Sequence, residues 1–137
     1  MPNSGEQTNY PTSVQAAAGH YQKAILLKQQ LQYEEAILHL QKAIDINPNN
    51  LNYTVELAIC YLNLNNFSHA MNILGPVYQK NPINLLVIKP YCSALLESGN
   101  VDKAKQILQS VENHFPTDLA LKALWMKATG LKPNSKK

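Results

Sequence analysis

One spacing, held through three copies, limits what this chain can fold into more than any single motif. Pro48, Pro82 and Pro116 are evenly spaced, and Ala36, Ala70 and Ala104 keep the same interval, as do Leu40, Leu74 and Leu108. Tyr33, Phe67 and Val101 keep a fourth register, and Ala24, Ala58 and Cys92 a fifth. Five registers held through three copies mark an internal repeat. The clearest copy is residues 51–82. Its first half places Tyr53, Leu57, Tyr61 and Leu64 at helical spacing around the small Ala58, and its second half does the same with Phe67, Ala70, Leu74 and Val77. Asn65-Asn66 separates the halves and Asn81-Pro82 closes the unit. Each half carries one apolar stripe, the mark of an amphipathic helix.

The repeating unit is therefore two helices joined by a tight turn. Ala36, Ala70 and Ala104 fall where the two helices of a unit cross, and small residues there allow close approach. Ala43, Val77 and Val111 are placed to pack on the following unit. Each proline ends a second helix, because it lacks an N–H and clashes with the preceding turn. The pattern predicts helices near 14–31, 34–46, 51–64, 68–80, 85–98, 102–114 and 118–129. Ser13 and Thr117 are the expected N-caps of the first and last. Glu34 and Glu35 lie where a helix dipole favours negative charge. Pro76, after Gly75, and Pro90 fall inside helices, and a kink rather than a break is expected at each. In the last helix Leu119, Ala123 and Met126 form the expected apolar line, with Leu121 and Trp125 beside it, and Gly130 stops it. Val14 and Ala17 are placed to cover the open N-terminal end.

These features resemble the tetratricopeptide repeat family, whose unit is a helix-turn-helix of about 34 residues. The likeness covers about residues 17–116, with a trailing helix after it. It rests on Leu57-Ala58 and Tyr61 in the middle copy, Lys23-Ala24 and Leu27 in the first, and Tyr91-Cys92, Leu95 and Gly99 in the third. The sequence departs from the family at Thr54, where an aromatic is common, and at Pro76 and Pro90. The resemblance implies an all-α fold: a right-handed superhelical solenoid of three helix-turn-helix repeats plus a C-terminal capping helix. The expected organisation is a flexible tail at 1–12, a repeat domain at 13–130 and a basic tail at 131–137. Within the domain the repeats are expected at about 17–50, 51–84 and 85–118, with the capping helix at about 118–129.

Composition narrows the function. Hydrophobic residues make up 45% of the 137 and charged residues 15%, which is globular, and the length suffices for one domain with a sizeable core. No apolar run is long enough for a membrane span. The N-terminus has neither the basic start nor the apolar stretch of a signal peptide. The net charge is +3, and all 12 basic residues are lysines. The absence of arginine, the residue suited to bidentate phosphate contacts, argues against a nucleic-acid site. Cys60 and Cys92 lie inside first helices and read as small buried hydrophobes, which fits a reducing cytoplasm. The expected location is the cytoplasm, with a removed export leader as the alternative.

Catalytic patterns are scarce. His20, His39, His69 and His114 are scattered over the three repeats, and His39 and His69 occupy different points of theirs. No HExxH, CxxC, glycine-rich phosphate loop or GxSxG occurs. Glu56 and Glu97 lie on the first helices of different repeats, and read as solvated positions rather than an acid–base pair. The chain is read as a non-enzyme, with no cofactor or metal site.

What remains is a surface. In the family that the sequence resembles, first helices line a concave groove that holds an extended or helical peptide. The resemblance assigns the groove to Tyr21, Ile25 and Lys28, with Ala18 beside them, then Asn52, Val55, Ile59, Leu62 and Asn63. The third repeat adds Leu86, Lys89, Ser93 and Leu96, and Lys127 reaches in from the last helix. Val55, Ile59 and Leu62 lie off the stripe formed by Leu57, Ala58 and Tyr61, so their apolar character points to a binding face. Lys28, Lys89 and Lys127 would favour acidic flanks on a partner. One subtype is disfavoured: where carboxylate-clamp co-chaperones carry Lys, Asn and Arg, this chain has Tyr21, Ile25, Glu56, Leu86 and Pro90. The expected function is protein binding as adaptor, chaperone-like holder or assembly factor. A self-assembling scaffold and a regulatory subunit of an enzyme are alternatives, and Tyr10 with Val14 could instead fold back as anchors in the groove.

Overall fold

The computed structural model describes residues 12–130, and within them the chain forms seven α-helices and no strand. They are α1 (Ser13–Gln29), α2 (Tyr33–Ile46), α3 (Leu51–Asn63), α4 (Phe67–Lys80), α5 (Leu85–Glu97), α6 (Val101–Val111) and α7 (Leu119–Thr129). The chain is an all-α helical repeat. Of the tails expected at 1–12 and 131–137, residues 1–11, Tyr10 included, and 131–137 lie outside the described residues.

The turn inside each repeat is built the same way three times. Leu31 and Asn65 adopt left-handed backbone, φ 63° and 62°, and Gly99 does so at φ 91°. The following residue donates its N–H back to the last turn of the helix: Gln32 to Leu27, Asn66 to Tyr61, and Asn100 to Leu95. A second bond joins Leu31 to Lys28, Asn65 to Leu62, and Gly99 to Leu96. This is the Schellman arrangement, which satisfies carbonyls that a helix end would otherwise leave orphaned.

The turns between repeats share a design as well. Asn47, Asn81 and Phe115 each donate their N–H one helical turn back, to the carbonyls of Ala43, Val77 and Val111. Then Asn50, Asn84 and Asp118 cap the next helix with a side-chain oxygen, accepting from Tyr53, Leu86 and Leu121 respectively. The last helix is thus capped by Asp118 and not by the expected Thr117, because the Asx cap keeps the register of the repeat. The first helix is capped by Thr12 rather than Ser13, in a reciprocal box with Gln15. The second helix of the third repeat ends at Val111, short of the expected end, and 112–114 form turns. Both α4 and α5 continue through Pro76 and Pro90 without a break.

The chain divides into two compact units, Met1–Cys60 and Tyr61–Lys137. In the first, α1 packs on α2. Ala17, Ala43 and Tyr53 form a cluster with Tyr21 and Ile44 against it, which joins α1 and α2 to the start of α3. Ala24, Ala36, Leu40 and Ala58 are buried. In the second unit α5 packs on α4, α6 and α7, and α7 also packs on α6. Ala70, Leu74, Cys92, Ala104 and Leu108 are buried there. Full burial of each register leucine is worth about 1.5–3 kcal/mol. The apolar line of α7 differs from the expected one. Leu121 is buried, whereas Leu119 is 79% exposed and Ala123 is exposed. Asp118 pairs with Lys89 of α5 and anchors the start of α7 there, and from that anchor Leu121 faces inward.

Candidate functional site

In the first unit, the predicted residues of α1 and α3 come together. The Tyr21 and Tyr53 rings lie 5.0 Å apart, and Lys28 Nζ meets Glu56 Oε1 at 2.6 Å. Burial raises the Tyr21 phenol above its usual pKa, helped by the negative charge of Glu56. Tyr21, Ile25 and Ile59 are half-buried and Asn52 is exposed. Val55 is different: it is fully buried and belongs to the core, against expectation. The reason is that α3 meets α1 through Tyr53 and Glu56, and α2 through Tyr53 and Ala43. Its buried arc is wider than one stripe.

In the second unit, Leu86 is 46% exposed although Val87 and Ile88 next to it are fully buried. Leu62, Ser93 and Leu96 are half-buried and Asn63 is exposed. Lys89 lies 3.1 Å from Asp118, and Lys127 pairs with Glu97. The Asp118 carboxyl is held below its usual pKa, first by the N–H of Leu121 and then by Lys89. The three lysines expected to favour acidic flanks are therefore each matched by a carboxylate of the chain itself. Sequence reading missed this because each partner lies on or beside a different helix, far along the chain.

Other groups come together that the sequence left apart. His20 Nδ1 of α1 and His39 Nδ1 of α2 lie 3.1 Å apart. The Tyr61 ring stacks on His69 at 4.0 Å. A cleft of about 260 Å³ lies between α6 and α7, where Phe115, Leu121, Trp125 and Met126 line it. Its signal in the sequence was a pair of aromatics, Phe115 before the last helix and Trp125 within it. Burial disfavours both thiolates: it pushes Cys60 to about 11 and Cys92 to about 12. Among the described residues no group of three or more His, Cys, Asp or Glu side chains could hold a metal ion, and no helix is long and apolar enough to cross a membrane.

Comparison with known proteins agrees with this geometry. A tetratricopeptide repeat family model matches residues 17–50, and a second tetratricopeptide repeat model matches 68–125. No curated protein matches the chain significantly in sequence. Among solved structures, the first TPR of Spaghetti (RPAP3), bound to the HSP90 peptide SRMEEVD, is 20% identical with a TM-score of 0.78. That match covers 85% of this chain and 93% of the other. The second TPR domain of human RPAP3, in complex with the HSP70 peptide SGPTIEEVD, is 16% identical with a TM-score of 0.78, over 86% and 98% of the two chains. The Arabidopsis OM64 TPR domain is 16% identical with a TM-score of 0.79, over 87% and 98%.

Proposed function

The chain belongs to the tetratricopeptide repeat family, and on that premise we propose that it is a non-catalytic protein-binding module. It takes an apolar peptide or helix on the first helices of its repeats, and acts as an adaptor, a chaperone-like holder or an assembly factor. The observation that carries this is Leu86, a leucine 46% exposed on a first helix whose own core is already filled by Val87 and Ile88. Within the other unit, Ile25 and Ile59 offer half-buried apolar surface of their own. Apolar side chains with polar rims are the usual anchors for a partner peptide.

The partner proposed differs from those of the similar solved structures. The peptides bound by the two RPAP3 domains end in EEVD. Here Lys28, Lys89 and Lys127 are each paired, and Glu56 adds a negative charge beside Tyr21. An acidic terminus would have to compete with Glu56, Asp118 and Glu97 for the lysines. Apolar burial, not carboxylate capture, then supplies the affinity.

The test is a pull-down from native lysate with wild type and Leu86→Glu side by side, after circular dichroism shows both to be folded. A partner held by wild type and lost by the variant locates the surface. A partner retained by both moves it elsewhere, and capture of this chain alone favours self-assembly. A fluorescent EEVD peptide is the counter-probe. Micromolar binding that disappears in Lys28→Ala would overturn the apolar mode in favour of a carboxylate clamp.

A further inference from the structure

We propose that His20 and His39 form a two-imidazole seat for a first-row transition-metal dication of the Ni²⁺, Cu²⁺ and Zn²⁺ group. The residues come from different helices, α1 and α2, and their Nδ1 atoms stand 3.1 Å apart with ring centroids at 5.3 Å. Both rings are half-buried, so they are held by the helix pair and still reached by solvent.

The separation matches the chemistry. Metal–imidazole bonds are about 2.0–2.1 Å, so two nitrogens this far apart subtend about 98° at the ion. That angle lies between the right angle of tetragonal sites and the tetrahedral value. Each ring must swing its lone pair about 41° off the line joining the nitrogens, by the same triangle. Neutral imidazole is the ligand form. Two imidazolium ions at this distance would repel. Two protein donors leave the remaining positions to water or to a donor brought by a partner. A bound ion would staple α1 to α2 and so rigidify the first repeat. The competing account of the same geometry is a plain N–H···N hydrogen bond between the rings.

The experiment uses the untagged full chain at neutral pH, titrated calorimetrically with Cu²⁺ and Ni²⁺. Wild type, His20→Gln, His39→Gln and the control His69→Gln are compared, each first shown to be folded by circular dichroism. The expected result is one strong site in wild type and in the control, weakened at least tenfold in either His20→Gln or His39→Gln. The Cu²⁺ electron paramagnetic spectrum should show coupling to two imidazole nitrogens in wild type and to fewer in the single variants. Metal should raise the unfolding midpoint of wild type and of neither variant. Unchanged affinity in His20→Gln or His39→Gln, or no site stronger than millimolar in wild type, would overturn the proposal and leave the hydrogen bond as the whole of the contact.

Discussion

Leu31 occupies a backbone conformation that leucine disfavours, and replacing it by glycine should stabilise the protein. Its φ is 63°, at the position filled by Asn65 and Gly99 in the later repeats. For a residue with a Cβ, left-handed backbone costs about 1–2 kcal/mol. Glycine removes that cost but brings about 0.5–1 kcal/mol of extra unfolded-state entropy. Leu31 is 70% exposed, so losing its side chain removes little burial, at most about 0.5 kcal/mol. The balance is a gain of about 0.5 kcal/mol for Leu31→Gly. The reciprocal change is Gly99→Ala. A Cβ there would meet nothing within 4 Å, so its cost is conformational only, about 0.5–1 kcal/mol. Urea unfolding followed by circular dichroism at a shared m-value measures both. At about 4 °C per kcal/mol for a chain of this size, the thermal midpoint should rise by about 2 °C in the first and fall by about 2–4 °C in the second. Opposite signs are the signature of a shared Schellman turn. If Leu31→Gly costs more than about 0.5 kcal/mol, the leucine is held by contacts and the strain account fails.

Three further outcomes follow from burial and charge. Val55→Ala should cost about 2–3 kcal/mol in the same urea assay, from two lost carbon atoms and the cavity they leave, and a cost under about 0.5 kcal/mol would return Val55 to the surface. Protonated His39 is disfavoured in the folded state by burial and then by His20, Lys42 and Lys23. The unfolded chain therefore binds the proton first, so stability is full above the ordinary histidine value of 6.5 and falls as pH drops from there toward the lowered folded value. His39→Gln should flatten the dependence of the unfolding midpoint on pH between about 5 and 7. Cys60 and Cys92 should resist a thiol reagent at neutral pH in the native protein and react together in urea, and fast labelling of either in native buffer would contradict their burial.

The repeat was legible because a stacked unit must place the same small and large residues at the same points. Ala36, Ala70 and Ala104, with Leu40, Leu74 and Leu108, are buried where the spacing put them. Two more registers were present and went unread. Asn50, Asn84 and Asp118 are all Asx caps, which should have displaced Thr117 as the start of the last helix. Leu31, Asn65 and Gly99 share a turn, and Asn65 and Gly99 are turn residues by type, but leucine carries no left-handed signal, so the register does not show in the first repeat. The surface was harder to read. A stripe drawn on one helix takes one neighbour into account, whereas α3 has two, and Val55 fell on the wrong side of that line. Contacts between helices, such as His20 with His39 and Lys127 with Glu97, depend on how those helices cross, which periodicity within one helix does not contain.

The pairing of Lys28, Lys89 and Lys127 with carboxylates of the chain sets how binding responds to ionic strength. A partner held through lysines would be released by salt, since exposed charges are screened within about 10 Å at 0.1 M. A partner held on Leu86 and its apolar neighbours should stay bound through a high-salt wash and leave in mild detergent. Salt acts instead on the protein's own bridges, in order of their exposure. Lys127–Glu97, with side chains 55% and 41% exposed, loosens first, and Lys28–Glu56, at 26% and 18%, loosens last. The first cation to become available to an acidic ligand as salt rises is thus Lys127, under conditions in which that ligand is itself screened.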